Sequence, residues 1–416
     1  MKKKEKHLFL ITIFSLLFLC ISCAPHKVDD DSLYNINEML MPVWEGDTSY
    51  NESVLVVEEK DGSIKPINLL YKIDKILSIK SASLLISYEE GKDYLVENGS
   101  LIINTGGSIP RLTFNEFHPE DGFYRSYEGG ALLVTEDGLF HNTQIVVTYT
   151  HSDPFNGFIP PHKGNLLPRF NKKIQNKEDI NILFYGDSIT TGSNSSGKWN
   201  INVSPFMPPF TDLLCKGIEE KYQCSVSQYN YSLGGQWTDW GIEHVRDVVE
   251  SSPYNTYDLI FIAFGMNDGY SALETANKMN IIANKFLESY TNAEIVYVAT
   301  MLPNPLSINA WMEQYKQGKA LLKYEKEGMV VADVGRFHDS LLYTKRYQDM
   351  TGNNINHPND YLARVYAQVL FQTITIEASV SNQNQITNGI IISIAVLLFV
   401  VINVTIFLVV NKKKKN

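Results

Sequence analysis

Cysteine is scarce in this chain, with four in 416 residues. Two of them, Cys20 and Cys23, fall in the first 23 residues, and only Cys215 and Cys224 lie beyond. Two cysteines at that spacing make neither a disulfide scaffold nor a thiolate metal site, and a chain of this length builds ordinary cores without such staples. A bond between them needs Cα atoms within about 7 Å, which the sequence leaves open. The nine histidines are scattered without metal-ligand spacing and no H-E-x-x-H occurs, so neither a metal nor another cofactor is expected. No internal repeat at solenoid or propeller spacing is present. Basic charge is also short, at 36 Lys and Arg against 46 Asp and Glu.

The ends of the chain hold much of that basic charge. Lys2, Lys3, Lys4 and Lys6 precede an apolar run from Leu8 to Leu19, which reads as a signal peptide over residues 1–23. Ser22-Cys23 is similar to a lipoprotein processing site, with Cys20 where leucine is usual. Residues 389–410 are twenty-two residues without a charge, enough to cross a bilayer core of about 30 Å as a transmembrane helix. Lys412 to Lys415 follow, so residues 411–416 are expected as a cytoplasmic basic tail, with everything upstream of the span outside the membrane. Without 1–23 and 389–416, which carry eight Lys and one Glu, 45 acidic side chains face 28 basic ones, a charge of about −17. Affinity for nucleic acid rests on Lys and Arg neutralising phosphates, so no nucleic-acid partner is expected. The expected setting is a single-pass cell-membrane protein with an extracytoplasmic body.

That body changes texture along its length. From Ser32 to Tyr149, short β-branched and aromatic runs are separated by Asp61-Gly62, Glu90-Gly91, Asn98-Gly99, Gly106-Gly107, Asp121-Gly122 and Asp137-Gly138. This all-β pattern implies a sandwich or jelly-roll domain over 28–151. Tyr94–Glu97 and Ser100–Ile103 around Asn98-Gly99 predict a two-residue hairpin. Residues 152–179, with Pro154, Pro160, Pro161 and Pro168, read as a connector. Residues 180–375 alternate strands, near 180, 225, 258, 294 and 329, with helical segments. That order predicts a three-layer α/β domain, a parallel sheet between helices with ligands at the carboxyl ends of its strands. Residues 376–388 form a polar stalk ahead of the membrane.

Four segments in the α/β half have chemistry in common. Gly186-Asp187-Ser188-Ile189 ends the apolar run Ile180–Tyr185 and places a serine where a buried strand turns. The competing reading is an ordinary helix N-cap, whose hydroxyl satisfies a free backbone N–H. Asn230–Gly235 is a glycine-rich turn in which Gly235 can present its N–H to an oxyanion. Gly265-Met-Asn267-Asp268 follows the continuous apolar run 258–264 and supplies a side-chain amide. Asn356-His357-Pro358-Asn359 precedes a helical stretch and supplies an imidazole to take the serine's proton. The second glycine of a G-x-S-x-G nucleophile elbow is missing, which makes an α/β-hydrolase fold the less favoured home.

These four blocks, in this order over residues 178–372, resemble those of the SGNH or GDSL hydrolases, whose domain is flavodoxin-like. The resemblance implies an ester hydrolase with Ser188 as nucleophile, His357 as base, and an oxyanion hole of the Ser188 amide, Gly235 and Asn267. It departs at one place. The family carries Asp three residues before its His, and here position 354 is Asn. Asn354 is therefore a doubtful third member of the catalytic group. Three readings stay open: a dyad with His357 held by Asn354 or a backbone carbonyl, an acid recruited from elsewhere such as Asp349 or Asp360, or a weakened enzyme.

Trp237, Trp240 and Trp311 lie in or after loops at the sheet edge and are candidates to stack on sugar rings, with core packing as the alternative. The polar loop Gly192–Trp199 after the serine is placed to border a cleft. His338-Asp339 offers a second His-acid pair without the His-Pro context. The resemblance extends to acetyl esterases that pair a jelly roll with this hydrolase domain. It implies hydrolysis of small acyl esters, acetyl above all, on a carbohydrate substrate, and the uncharged run 389–410 adds the membrane as the other expected partner. A lipid esterase and a weakened glycan-binding surface protein are the alternatives, and the oligomeric state is not legible.

Overall fold

The computed structural model describes residues 33–377 apart from 199, 309, 311 and 312. The signal segment, Cys23, Trp311, residues 381–388 of the stalk, the apolar span 389–410 and the basic tail lie outside the described residues. Among the described residues no helix is long and apolar enough to cross a membrane.

Five strands form one parallel sheet: β7 (Ile180–Gly186), β8 (Val226–Asn230), β9 (Leu259–Ala263), β10 (Glu294–Ala299) and β11 (Met329–Asp333), in the order β11-β10-β9-β7-β8. Each begins within two residues of its expected position. Alternate side chains on a strand point to opposite faces, and the packing divides accordingly. Ile182, Phe184, Leu259, Phe261, Val296, Val298 and Val330 join a core with Phe210, Leu213 and Ile218 of the helix Phe210–Tyr222 and Leu362, Val365, Val369 of the helix Asp360–Ile374. Leu183, Tyr185, Ile260, Ile262, Ile295 and Tyr297 face the other way, against Ala276, Met279, Ala283 and Phe286 of the helix Ala272–Ser289. Both faces being covered explains why β7, β9, β10 and β11 read as apolar runs, while the edge strand β8 is only half-buried. The strand order reverses direction at β7, and such a switch point opens a crevice at the strands' carboxyl ends.

The N-terminal region is antiparallel. Strands β1 (Thr48–Leu55), β6 (Gln144–Thr150), β2 (Lys75–Ser81) and β3 (Ser87–Tyr88) form a four-stranded sheet in that order. The Asn98-Gly99 hairpin forms as expected, pairing β4 (Tyr94–Glu97) with β5 (Ser100–Ile103), with φ of +53° and +79° at its two turn residues. This hairpin is the only other sheet among the described residues, so the second layer expected of a sandwich or jelly roll is reduced to two strands. The long segments 57–74 and 104–138 carry isolated bridges and a helical turn instead of further strands.

The two regions share one core. Val54, Ile79 and Tyr149 of the antiparallel sheet belong to the same buried cluster as Phe337, Tyr347, Met350 and Tyr361 of the α/β half. The stretch 152–179 is part of this packing and more than a spacer. Its helix Pro168–Gln175 buries Phe170 and Ile174, and the Glu294 carboxylate accepts the N–H groups of Arg169 and Phe170 at its first turn, at 3.2 and 2.8 Å.

Candidate active site

The sheet delivers Ser188 to the switch point through a tight exit from β7. A Cβ at Gly186 would stand 2.4 Å from the Ala263 carbonyl oxygen and from Thr190 Oγ1, so only glycine lets β7 end this close to β9. Asp187 then caps the short helix Ser188–Thr191, its Oδ1 accepting the Ile189 N–H at 3.0 Å. The cap bond belongs to Asp187, which removes the N-cap reading of Ser188. The serine hydroxyl instead lies 2.9 Å from His357 Nε2. Asp187 is fully enclosed, and burial pushes its carboxyl up to about 7 against the opposing pull of the Ile189 bond and His357.

Two further segments converge on the serine. The chain leaving β8 is held to β7, with the Tyr231 and Leu233 N–H groups donating to the Phe184 and Gly186 carbonyls at 2.9 and 3.2 Å. This brings Gly234 to van der Waals distance, since a Cβ there would sit 3.7 Å from Ser188 Cβ. Gly235 follows with φ +76°, in a left-handed turn that favours glycine, and is exposed. Asn267 emerges after β9 and donates one amide hydrogen of its Nδ2 to the Gln236 carbonyl at 3.0 Å, tying the β9 loop to the glycine turn. Ser188 opens its helix, and first-turn N–H groups have no acceptor in their own helix. Ser188, Gly235 and Asn267 thus stand on three neighbouring loops at one end of the sheet.

The loop carrying His357 is organised by Asn353. Its Oδ1 accepts the N–H groups of Ile355, Asn356 and His357, each at 3.0 Å. The His357 carbonyl is held in turn by the Gly352 N–H at 3.0 Å and Thr351 Oγ1 at 2.9 Å. Asn354 does not reach the imidazole. It takes a left-handed conformation, φ +64°, which turns its amide away; Nδ2 donates to the Leu133 carbonyl at 3.1 Å and Oδ1 accepts from Asn304 Nδ2 at 3.0 Å. The two acids considered as substitutes are committed elsewhere. Asp349 pairs with Arg346 at 2.7 Å and accepts the Leu55 N–H at 2.8 Å; Asp360 accepts the Ser196 N–H at 2.8 Å.

The partners of His357 Nδ1 are residues that sequence reasoning did not single out. Asn194 Oδ1 lies at 2.6 Å and Glu136 Oε2 at 3.3 Å. Asn194 belongs to the polar loop that was expected to border a cleft, and its Nδ2 donates to the Gly352 carbonyl at 3.3 Å. Glu136 comes from the N-terminal region, 221 residues before His357. The hint in the sequence was indirect: an Asn in the usual Asp position leaves an acid to be found elsewhere.

The remaining candidates are placed differently from one another. Trp237 is 45% exposed just past the glycine turn. Trp240 instead packs inward, stacked on His244 with ring centroids 4.5 Å apart and tilted against Tyr185 at 5.7 Å, so it is framework and not an open sugar platform. His338 is buried with its Nδ1 accepting the Leu302 N–H at 3.1 Å, and burial pushes its pKa down to about 3, which unsuits it as a base. Cys215 and Cys224 are both free thiols. Among the described residues no group of three or more His, Cys, Asp or Glu is arranged to hold a metal ion.

Comparison with known proteins bears on the same stretch. Residues 182–358 match the family described as GDSL-like lipase/acylhydrolase. No curated protein sequence matches. Among solved structures, a two-domain esterase active on acetylated mannans is 21% identical, with 51% of this chain and 53% of that one covered and a TM-score of 0.39. The chain thus spans about half the length of that esterase. A lipolytic G-D-S-L family protein from Veillonella parvula is 16% identical over 46% of this chain and 96% of that one, TM-score 0.36. An acetylxylan esterase from Geobacillus stearothermophilus is 13% identical over 48% and 95%, TM-score 0.38. The matched stretch begins within β7 and ends on Pro358 beside the imidazole, so the similarity to the GDSL-like lipase/acylhydrolase family falls on the segment that holds Ser188, Gly235, Asn267 and His357.

Proposed function

We propose that this protein is a membrane-anchored, extracytoplasmic serine esterase that removes acetyl groups from carbohydrate. The observation that carries the reading is the 2.9 Å contact between Ser188 Oγ and His357 Nε2 at the switch point of the matched domain. In the mechanism, His357 Nε2 takes the Ser188 proton as Oγ attacks the ester carbonyl carbon. The oxyanion of the tetrahedral intermediate faces the Ser188 and Gly235 N–H groups and the amide hydrogen of Asn267 that Gln236 does not use. Collapse breaks the bond to the sugar oxygen, which leaves with the proton from the imidazolium. Water then attacks acyl-Ser188 with His357 as base, and acetate departs.

Acetylated carbohydrate as the substrate class rests on three supports. The expected exported part carries a charge of about −17, which disfavours anionic polymers. Trp237 offers an exposed aromatic face two residues past Gly235, of the kind on which sugar rings stack. Mannan and xylan acetyl esters are named for structures that match this chain. The test is acetate release by the full chain in detergent from acetylated mannan, acetylated xylan and a long-chain acyl ester. Release confined to the polysaccharides is expected; activity on the long-chain ester alone would replace this reading with a lipid esterase.

Asn267→Ala tests the oxyanion hole separately. Losing one such donor costs about a hundred- to a thousand-fold in kcat, with KM little changed. Near-parental turnover of the variant would remove Asn267 from the site.

A further inference from the structure

We infer that Glu136, from the antiparallel region outside the matched hydrolase stretch, supplies the negative charge that the Asp-to-Asn exchange at position 354 removes, acting as a positioning and charge-balancing residue on His357. The inference rests on the serine-esterase reading above. For Nε2 to accept the Ser188 proton, the ring hydrogen must sit on Nδ1, so the acceptors facing Nδ1 decide both tautomer and ring orientation. Two face it. Asn194 Oδ1, at 2.6 Å, is the nearer, and its identity as the oxygen follows from the opposite end of the amide, where Nδ2 donates to the Gly352 carbonyl at 3.3 Å. A reversed amide would oppose two oxygens there. Asn194 therefore holds the imidazole in the required tautomer, but it is neutral and offsets no charge when the imidazolium forms.

Glu136 adds what Asn194 lacks. Its Oε2 lies 3.3 Å from Nδ1, and its Oε1 accepts the Asn353 Nδ2 at 2.8 Å. The same Asn353 organises the His357 loop through three backbone N–H groups, so the carboxylate and the imidazole are placed by one side chain. A second tie fixes the two segments to each other, the bond from Asn354 Nδ2 to the Leu133 carbonyl. Asn354 thus lost the role of orienting the base and anchors the strand of chain that carries the substitute acid. Partial burial pushes the Glu136 carboxyl up, but the bond and charge of His357 and the amides of Asn353 and Asn194 outweigh it, holding the group below the usual carboxylate range. The division of labour, a neutral acceptor for geometry and a carboxylate for charge, makes the antiparallel region part of the catalytic apparatus.

The test compares kcat and KM for p-nitrophenyl acetate across the full chain, Glu136→Gln, Glu136→Asp and Ser188→Ala in detergent. Glutamine keeps the bond from Asn353 and loses the charge; aspartate keeps the charge and draws back from Asn353. Hydrogen bonds to charged groups exceed neutral ones by enough to predict a kcat loss of about ten- to a hundredfold in Glu136→Gln, with KM within about twofold. Glu136→Asp is expected to retain more kcat than Glu136→Gln. Parental kcat in Glu136→Gln, or a deeper loss in Glu136→Asp than in Glu136→Gln, would reduce Glu136 to a structural tie and overturn the inference while an inactive Ser188→Ala left the esterase reading standing. Undiminished hydrolysis by Ser188→Ala would overturn both.

Discussion

Ser188→Ala is expected to lower kcat on the order of 10⁶-fold, the loss that removal of the nucleophile causes in a serine protease, while the folded state is unaffected. The second half of this expectation comes from the local structure. In many strand-to-helix turns a serine in this position would be the N-cap, and its loss would cost about 1 kcal/mol of stability. Here Asp187 makes that bond to Ile189, and the Ser188 hydroxyl has His357 as its partner. Thermal melting and acetate release measured on the same preparation separate the two readings. A variant that melts with the parent and releases no acetate fits a nucleophile, and one that melts lower but keeps its specific activity would make Ser188 a structural residue. His357 belongs to the same unit, so removing both is expected to cost scarcely more than removing either.

Lys345→Met is expected to destabilise the protein by about 3–5 kcal/mol, the cost of leaving a buried charge without its partner. Lys345 Nζ lies 2.6 Å from Glu52 Oε1, and both side chains are 0% exposed. The ammonium also donates to the Ser53 carbonyl at 3.1 Å and faces the Tyr361 ring, with 5.1 Å to its centroid. Glu52 is equally committed: the Leu70 N–H donates to Oε1 at 2.8 Å and the Tyr149 hydroxyl to Oε2 at 2.8 Å. Burial and the Glu52 charge together raise the Tyr149 hydroxyl well above its ordinary pKa, which keeps it a donor. The pair pins β1 to the loop that leads into the His357 segment, so its loss strikes the seam between the two halves of the molecule. Adding Glu52→Gln to Lys345→Met removes the stranded charge and should recover a large part of the loss, a coupling that a double-mutant cycle measures. Chemical denaturation of the full chain is the direct check. An unchanged midpoint for Lys345→Met would mean that water reaches the seam and the pair contributes no net stability.

The seam also bears on how the two regions act. One apolar cluster runs through both, the Glu52–Lys345 pair crosses between them, and Glu136 reaches His357 from the antiparallel side. Shared packing of this kind makes a separable accessory module an unsuitable description. Asp349 illustrates the point: it was a plausible acid for His357 by sequence proximity, yet it spends itself on Arg346 and on the Leu55 amide of β1, holding the regions together.

Much of the α/β half was legible because its signals are local. Strands β7, β9, β10 and β11 are buried on both faces and so read as apolar runs, and the Ser188 and Asn267 loops follow two of them, whereas the edge strand β8 is half-buried and the loop after it is marked by its glycines. The Ser188, Gly235 and Asn267 loops follow from that pattern, as does the Asn98-Gly99 hairpin, whose two residues accept positive φ at little cost. What remained hidden depends on contacts between distant segments. The second layer of the antiparallel region was harder to read, because Asp-Gly and Gly-Gly turns punctuate irregular segments as readily as they end strands. Trp240 could be placed on a loop but not turned inward. The partners of His357 Nδ1 were out of reach altogether, since Asn194 is one polar loop residue among several and Glu136 sits in an ordinary turn 221 positions away. The order of residues alone determined the parallel strands and the four loops that carry Ser188, Gly235, Asn267 and His357, because strand periodicity and turn chemistry act over a few residues. Only the tertiary structure decided which groups hold the base, because a left-handed Asn354 points its amide away and the docking of a second region brings a carboxylate into the place it left.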